Sequence, residues 1–385
     1  MALIQKIENY SEDLTALRRD FHAHPEIGFQ ETRTSGIVAD LLEKWGIETH
    51  RGIGGTGVVG VLNGTRPGRT IGLRADMDAL PIHEETNLPY RSTNPGVSHA
   101  CGHDAHTTML LGAARYLAET KDFAGKAVFV FQPAEEGLGG ARAMIAQGLF
   151  DKFPVDEIYG LHNMPTDEPG RVAIRPGVAM AGADFFDITL KGTGSHGAMP
   201  QDSKDPIIAA TALVQALQSI ISRNVAPKEM AVLSVTQIHA AAAYNVIPSE
   251  ATVSGTARMF TKEVREQMQA RIHEVSRGIA ATFGMEVDVD IRDIFSVLVN
   301  DDTLSHEFLK IAADMVGAEN TAISKNPVTG SEDFADMLQS VPGAYFTIGH
   351  SGNVPLHNPG FLFDDAILPL GASLYARIVE TRAAA

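Results

Sequence analysis

The sequence predicts an α/β protein with helices on both faces of a mixed sheet, interrupted by a smaller inserted α+β unit. Three observations carry this expectation. Short apolar runs at residues 58–62, 70–74, 126–132 and 157–162 alternate with helical patterns at 107–119 and 140–147. From about residue 181 the pattern changes to the order β-α-β-β-α-β, that of a compact ferredoxin-like unit. The chain has 385 residues, enough for two domains and too many for one ordinary core.

The elements follow in order. Residues 4–20 read as an amphipathic helix leading into the loop His22-Ala23-His24-Pro25-Glu26. Residues 32–45 repeat at the helical period, with Ile37, Val38, Leu41 and Leu42 inward. In the second unit, 184–191 alternates as a strand and 206–223 is a helix. Strands 231–239 and 251–260 lie at hairpin-like spacing. Residues 262–283 form a long helix with Val264, Met268, Ile272, Val275 and Ile279 on one face, and 286–293 is a further strand. A helix at 303–316 returns the chain to the first unit. The domains are therefore 1–180 with 297–385, and an insertion at 181–296. The Ala-rich end reads as frayed.

Lys and Arg number 31 against 47 Asp and Glu, a formal charge of −16, which repels phosphate backbones and argues against nucleic acid as a partner. No run approaches 18 apolar residues, so no membrane span is expected, and residues 1–20 lack the apolar core of a signal peptide. The single cysteine, Cys101, leaves no internal disulfide to form, which fits a reducing cytoplasm.

His99-Ala100-Cys101-Gly102-His103-Asp104 packs a thiol, two imidazoles and a carboxylate into six residues between a Pro/Gly/Ser-rich loop and a helix. A lone cysteine is usually a small buried hydrophobe. Beside His103 and Asp104 in a Gly-containing turn, Cys101 reads as a metal-binding thiolate. The apolar strand Val128-Phe129-Val130-Phe131 runs into Gln132-Pro133-Ala134-Glu135-Glu136-Gly137. Two adjacent glutamates at the end of a buried strand repel each other unless a cation is present. One then binds metal while its neighbour acts as general base. Further apolar runs end in His162 and in Asp76-Met77-Asp78, and His357 lies in a Pro-containing loop. Either histidine alone is more often structural; the set of imidazole, thiolate and carboxylate gives them weight. Asp78 is a candidate acceptor for the far ring nitrogen of a ligand histidine.

Together with His24-Pro25-Glu26, Arg74 through Pro81, Gly194-Ser195-His196-Gly197, Asn245-Val246-Ile247-Pro248 and Gly330-Ser331-Glu332-Asp333-Phe334, these motifs carry a resemblance over nearly the whole chain. The sequence resembles the aminoacylase/carboxypeptidase family of dinuclear metallo-amidohydrolases. Within it, the chain is similar to the hippurate-hydrolase branch of N-acyl-amino-acid deacylases and plant auxin-conjugate hydrolases. The resemblance implies a phosphorylase/hydrolase-like metallopeptidase domain with an inserted lid and dimerisation domain. It implies two divalent metal ions, with zinc the first expectation and manganese, cobalt or nickel compatible with the same donors. Cys101 would bridge, with His103, Glu136, His162 and His357 as the other ligands. Glu135 would be the general base, and Asp78 a catalytic aspartate that orients a ligand imidazole without itself binding metal. His196 would steady the oxyanion from the partner subunit of a homodimer. Asn245, Arg258, Gly330 and Ser331 would hold the substrate, a small N-acyl amino acid split into a carboxylic acid and a free amino acid. Gln201 and Phe361-Leu362 depart from the family pattern at the pocket. The alternatives are a di-metal dipeptidase or exopeptidase, and a non-catalytic binding protein of the same fold.

Overall fold

The computed structural model describes residues 2–240 and 243–384. The chain forms two compact units, one of Met1–Ala179, Leu298–Pro327 and Glu332–Ala385, the other of Met180–Val297 with Val328–Ser331.

The first unit opens with helices α1 (Ser11–Ala23) and α2 (Thr32–Lys44) and strands β1 (Glu48–Ile53), β2 (Gly57–Asn63) and β3 (Arg66–Asp76). Helix α3 (His103–Thr120) and strands β4 (Ala124–Gln132), β5 (Glu157–Met164) and β6 (Val172–Ile174) follow. The second unit supplies β7 (Gly182–Lys191), α4 (Pro206–Ser219), β8 (Ala231–His239), β9 (Glu250–Met259), α5 (Lys262–Thr282) and β10 (Glu286–Phe295). The chain returns through α6 (Asp302–Val316), β11 (Thr321–Ile323), β12 (Gly343–Gly349) and α7 (Leu368–Arg382).

Eight strands of the first unit form one sheet in the order β1-β2-β4-β3-β5-β12-β6-β11. The four central strands β4, β3, β5 and β12 run parallel, while β1, β2 and β6 join antiparallel, so the sheet is mixed. Alternation along β3 shows how both faces are covered. Ile71, Leu73 and Ala75 join a core with Leu14 and Phe21 of α1, Leu110 of α3 and Leu374 of α7. Arg74 lies on the opposite face, its guanidinium carbon 5.6 Å from the ring of Phe334 at the start of helix Phe334–Ser340.

In the second unit the order is β8-β9-β7-β10, all antiparallel, which is the ferredoxin-like sheet. Helices α4 and α5 bury Ala209, Leu213 and Leu217, and Val264, Met268 and Ile272, in a core of their own. Asp205 caps α4 by accepting the N–H of Ile207 at 2.9 Å, and Pro206 takes the first helical position, where its missing N–H is harmless. The α4 segment with its following turn, Pro206–Asn224, is long and apolar enough to cross a membrane. In the fold its buried face packs on this sheet.

Three expectations need correction. The N-terminal helix is two, Gln5–Glu8 and Ser11–Ala23, separated by a tight turn in which Tyr10 N–H donates to Ile7 O at 2.9 Å. Ile7, Tyr10 and Leu14 stay buried at helical spacing across that turn, so periodicity conceals it. The Ala-rich end is docked through Ala383, which is fully buried and accepts the N–H of Arg69 at 2.9 Å; Ala385 lies outside the described residues. The terminal helix α7 and the central strand β12 escaped notice because each is apolar nearly all round and shows no amphipathic period.

Candidate metal centre

The parallel strands β3, β4 and β5 release their chains at one edge of the sheet, the place where such sheets gather ligands. The end of β3 leads into Asp76 and Asp78, that of β4 into Glu135 and Glu136, and that of β5 carries His162 and Asn163. Helix α3 begins at His103 after Gly102, whose φ is 89°. A Cβ on Gly102 would stand 2.3 Å from Asn163 Nδ2, so only glycine lets the Cys101 loop lie this close to β5. His357 joins from a loop in which its own N–H donates to Ala100 O at 2.8 Å.

Five predicted ligands converge in the first unit. The donor atoms of Cys101, His103 and His162 lie within 4.8 Å of one another, as do those of Cys101, Glu136 and His357, and those of His103, Glu135 and Glu136. Cys101, His103 and Glu136 each belong to two of these groups, so the three form one connected set of donors. Its Sγ is 3.4 Å from His162 Nε2, and His357 Nε2 is 3.3 Å from Glu136 Oε1.

Tautomers favour cation binding. His103 Nδ1–H donates to Asp78 Oδ1 at 3.2 Å and His162 Nδ1–H to Asn163 O at 2.7 Å, so both rings turn an Nε2 lone pair into the site. Asp78 also accepts the N–H of Glu136 at 3.0 Å through Oδ2, tying one histidine to one carboxylate. His103 Nε2 and Glu136 Oε1 are buried 4.0 Å apart, and among the described residues neither makes a well-formed hydrogen bond, although His357 Nε2 approaches Glu136 Oε1 to 3.3 Å. Leaving two such atoms poorly satisfied in a protein interior is costly, and a cation satisfies both. The residues present therefore fit divalent metal.

The electrostatics agree with that fit. Burial, then the charge of Glu136, pushes the Cys101 thiol above its usual range. Burial, then His106, holds the His162 imidazole well below its own. Burial, then Glu332, Glu136 and Asp333, lifts Glu135 far above the ordinary carboxylate range. A bound cation opposes the first and third of these shifts and leaves the second ring neutral, the form that ligates.

A layer beneath the centre was not singled out from sequence. Asn163 donates its backbone N–H to His106 Nε2 at 3.0 Å, which places the His106 proton on Nδ1, given to Asp76 Oδ1 at 2.7 Å. The Asn163 side chain donates to Cys101 O at 2.6 Å and accepts from His350 Nε2 at 3.0 Å. His106 stands one helical turn after His103, and Asp76 two residues before Asp78. Those spacings were the available signals.

The remaining predicted residues lie in the second unit. His196, on the short strand Ser195–His196, is exposed and accepts the N–H of Ala198 at its Nδ1, 3.0 Å away, which leaves Nε2–H free to donate. Asn245 is its neighbour, accepting the N–H of Gly197 at 2.8 Å, and both line a shallow groove with Ser195 and Pro248. Arg258 on β9 is half-buried and forms no ion pair among the described residues. It donates to Thr256 and to Ala257 O, and burial lowers its pKa. Gly330 accepts the N–H of Ala181 at 3.1 Å, and Ser331 Oγ is buried without a hydrogen-bond partner among the described residues.

Comparison with known proteins agrees with this architecture. The chain is 41% identical to a hippurate hydrolase of Campylobacter jejuni over 98% of both chains. It is 37% identical to thermostable carboxypeptidase 1 of Saccharolobus solfataricus, again over 98% of both. It is 38% identical to an N-acetyl-L-cysteine deacetylase of Bacillus subtilis, over 96% of this chain and 88% of the relative. Among solved structures, a dinuclear metal-binding M20 peptidase from Bacillus subtilis superposes with a TM-score of 0.83 at 33% identity, covering 98% of this chain and 99% of the other. Residues 72–381 match the profile of one family, and the chain belongs to it: peptidase family M20/M25/M40.

Proposed function

We propose that this chain is a two-metal amidohydrolase that cleaves N-acyl amino acids to a carboxylic acid and a free amino acid. The observation that carries the proposal is the convergence of Cys101, His103, Glu136, His162 and His357, with His103 Nε2 and Glu136 Oε1 lacking a well-formed hydrogen bond among the described residues and Glu135 alongside. Divalent cations held there supply Lewis acidity, polarising the amide carbonyl and acidifying a water. Zinc suits the thiolate and imidazole donors best, with manganese, cobalt and nickel also compatible.

Glu135 accepts the proton of the attacking water and returns it to the departing amine, a bound cation opposing the rise that burial and the neighbouring acids impose on its carboxyl. Asp78 holds the His103 ring in the ligating tautomer. His196 offers Nε2–H to the developing oxyanion, and Asn245 beside it helps hold the substrate. Gly330 and Ser331 meet the substrate carboxylate, the latter with an unpartnered hydroxyl. The second unit acts as lid and dimerisation domain. Ile207 and Ile208 of α4 and Val232 and Ile238 of the edge strand β8 are exposed apolar residues suited to a second copy of the chain. The lone reduced cysteine fits a cytoplasmic enzyme.

Metal analysis with an activity scan of N-acetyl and N-benzoyl amino acids against dipeptides tests the proposal. Turnover of free dipeptides alone would favour the exopeptidase alternative; no turnover in metal-loaded protein would favour a binding role. The carboxypeptidase and hippurate-hydrolase relatives share one substrate feature, a free carboxylate beside the scissile amide.

Arg258 is the cation available for that carboxylate. Its guanidinium can grip two oxygens at once, and among the described residues it forms no ion pair, although the charge of Asp184 reaches it. Arg258→Ala is expected to lower kcat/KM on N-acyl amino acids about 30-fold or more, the loss of a desolvated charge pair, with a much smaller effect on the matching amides. An unchanged acid-to-amide ratio would remove Arg258 from the carboxylate site.

Cys101 gives a second check. The thiol is expected to resist alkylation in metal-loaded protein and to react after chelation. Equal rates in the two states would show that it is not a ligand.

A further inference from the structure

The loop that follows α1 carries part of the family resemblance and none of the chemistry described so far. Its last residue, Glu31, is completely buried. Glu31 Oε1 accepts the backbone N–H of Ala134 at 2.8 Å, and Oε2 accepts the hydroxyl of Thr56. Ala134 has φ 54°, the left-handed region that a residue with a Cβ enters only when something holds it there. It immediately precedes Glu135 and Glu136, so its conformation aims both carboxylates. From the other side Gly140 N–H holds the Ala134 carbonyl at 3.0 Å.

The loop is built for this approach. A Cβ on Gly28 would stand 2.9 Å from Ala134 Cα. The Glu26 carboxylate accepts the N–H groups of Arg33 at 2.9 Å and Thr34 at 2.8 Å, fastening the loop to the first turn of α2. The Glu26 carbonyl accepts the N–H of Ala79 at 2.8 Å, next to Asp78. One loop thus grips the two strand ends that carry Asp78 and the glutamate pair.

We propose that Glu31 is a positioning residue of the metal centre: by holding Ala134 in its left-handed turn, it aims Glu135 and Glu136 at their neighbours. This rests on Glu136 as a ligand and Glu135 as the base, and a Zn2+ affinity readout keeps it separate from turnover.

The test compares Glu31→Ala, Glu31→Asp, Glu31→Gln and the double variant Glu31→Ala with Ala134→Gly. Each is checked for folding by circular dichroism, then measured for Zn2+ affinity by chelator competition and for kcat and KM on an N-acetyl amino acid. Glu31→Ala is expected to weaken Zn2+ binding about 10- to 100-fold and to lower kcat more than it changes KM. Glu31→Asp falls one methylene short of Ala134 and gives an intermediate loss, which serves should the Ala variant not fold. Glu31→Gln keeps an acceptor for the Ala134 N–H and stays within about threefold of the parent. Adding Ala134→Gly to Glu31→Ala restores about fivefold or more, because glycine takes the left-handed turn unaided.

Unchanged Zn2+ affinity in folded Ala and Asp variants would overturn the proposal. So would a Gln variant as impaired as the Ala variant, or a loss that Ala134→Gly leaves in place. Normal turnover of Glu135→Gln alongside the expected Zn2+ pattern would remove Glu135 as base and leave Glu31 where it is.

Discussion

Replacing Glu135 with glutamine should lower turnover by about two to four orders of magnitude, the range over which general acid–base groups act. The amide keeps the size of the side chain and loses the proton acceptor. Glu135 is almost fully buried, and its Oε1 lies 3.4 Å from the backbone N–H of Asp333, a contact the amide oxygen can keep. Metal content should therefore stay near that of the parent and KM should move little. Single-turnover rates on an N-acetyl amino acid, with metal content measured on the same sample, give the result. A turnover near the parent's at full metal occupancy would sink the assignment of the base.

The second large effect is on stability. Arg74 is wholly buried, with Asp76 Oδ2 at 2.7 Å, Glu332 Oε1 at 2.8 Å, Asp333 Oδ1 at 3.2 Å and Gln132 Oε1 at 2.8 Å around its guanidinium. Tyr345 donates its hydroxyl to Glu332, and the N–H of Ala141 donates to Asp333 at 2.9 Å. One cation thus holds the acids of two segments, Asp76 on its own strand and the Glu332-Asp333 pair. Arg74→Met fills similar space and strands three interior carboxylates, which is expected to cost about 3–5 kcal/mol. Arg74→Lys should recover only part of this, because a compact ammonium cannot reach all the partners that the planar fork does. Denaturant unfolding of the metal-free proteins measures both. A loss below about 1 kcal/mol for the Met variant would mean that the acids accommodate by binding protons, and that Arg74 is not the keystone of this cluster.

What could be read from the sequence was chemistry that announces itself locally. An apolar strand that ends in Glu135-Glu136 or in His162, and a thiol beside His103, are conspicuous because charge and thiolate are out of place there unless something binds them. The β-α-β-β-α-β order was likewise legible from its alternating periods. The supporting layer was not. Arg74 meets Glu332 across 258 positions and Glu31 meets Ala134 across 103; an apolar run surrounds Arg74, but nothing in the local sequence points to either partner. Asp76 and His106 look like ordinary neighbours of better candidates until the fold shows them joined through Asn163. Central strand β12 was missed for a related reason: a strand buried on both faces has no period to display.

The place of β12 also governs when the centre can exist during synthesis. Gly343 pairs with Ile158, and every residue of the second unit is made between the two. On the ribosome, β5 emerges with its β12 edge open, and it stays open until a complete ferredoxin-like unit has been produced. His357 comes later still. A nascent chain therefore holds Cys101, His103, Glu136 and His162 for about half of its translation without β12 or the fifth proposed ligand. Pairing over such a span is slow to form and exposes an edge while it waits. The inserted unit, whose strands pair only among themselves, can fold first and shorten the gap that the ends of β5 and β12 must bridge. On the proposed ligand set, complete metal coordination becomes a late event, a mark of a finished chain rather than a nucleus for folding it.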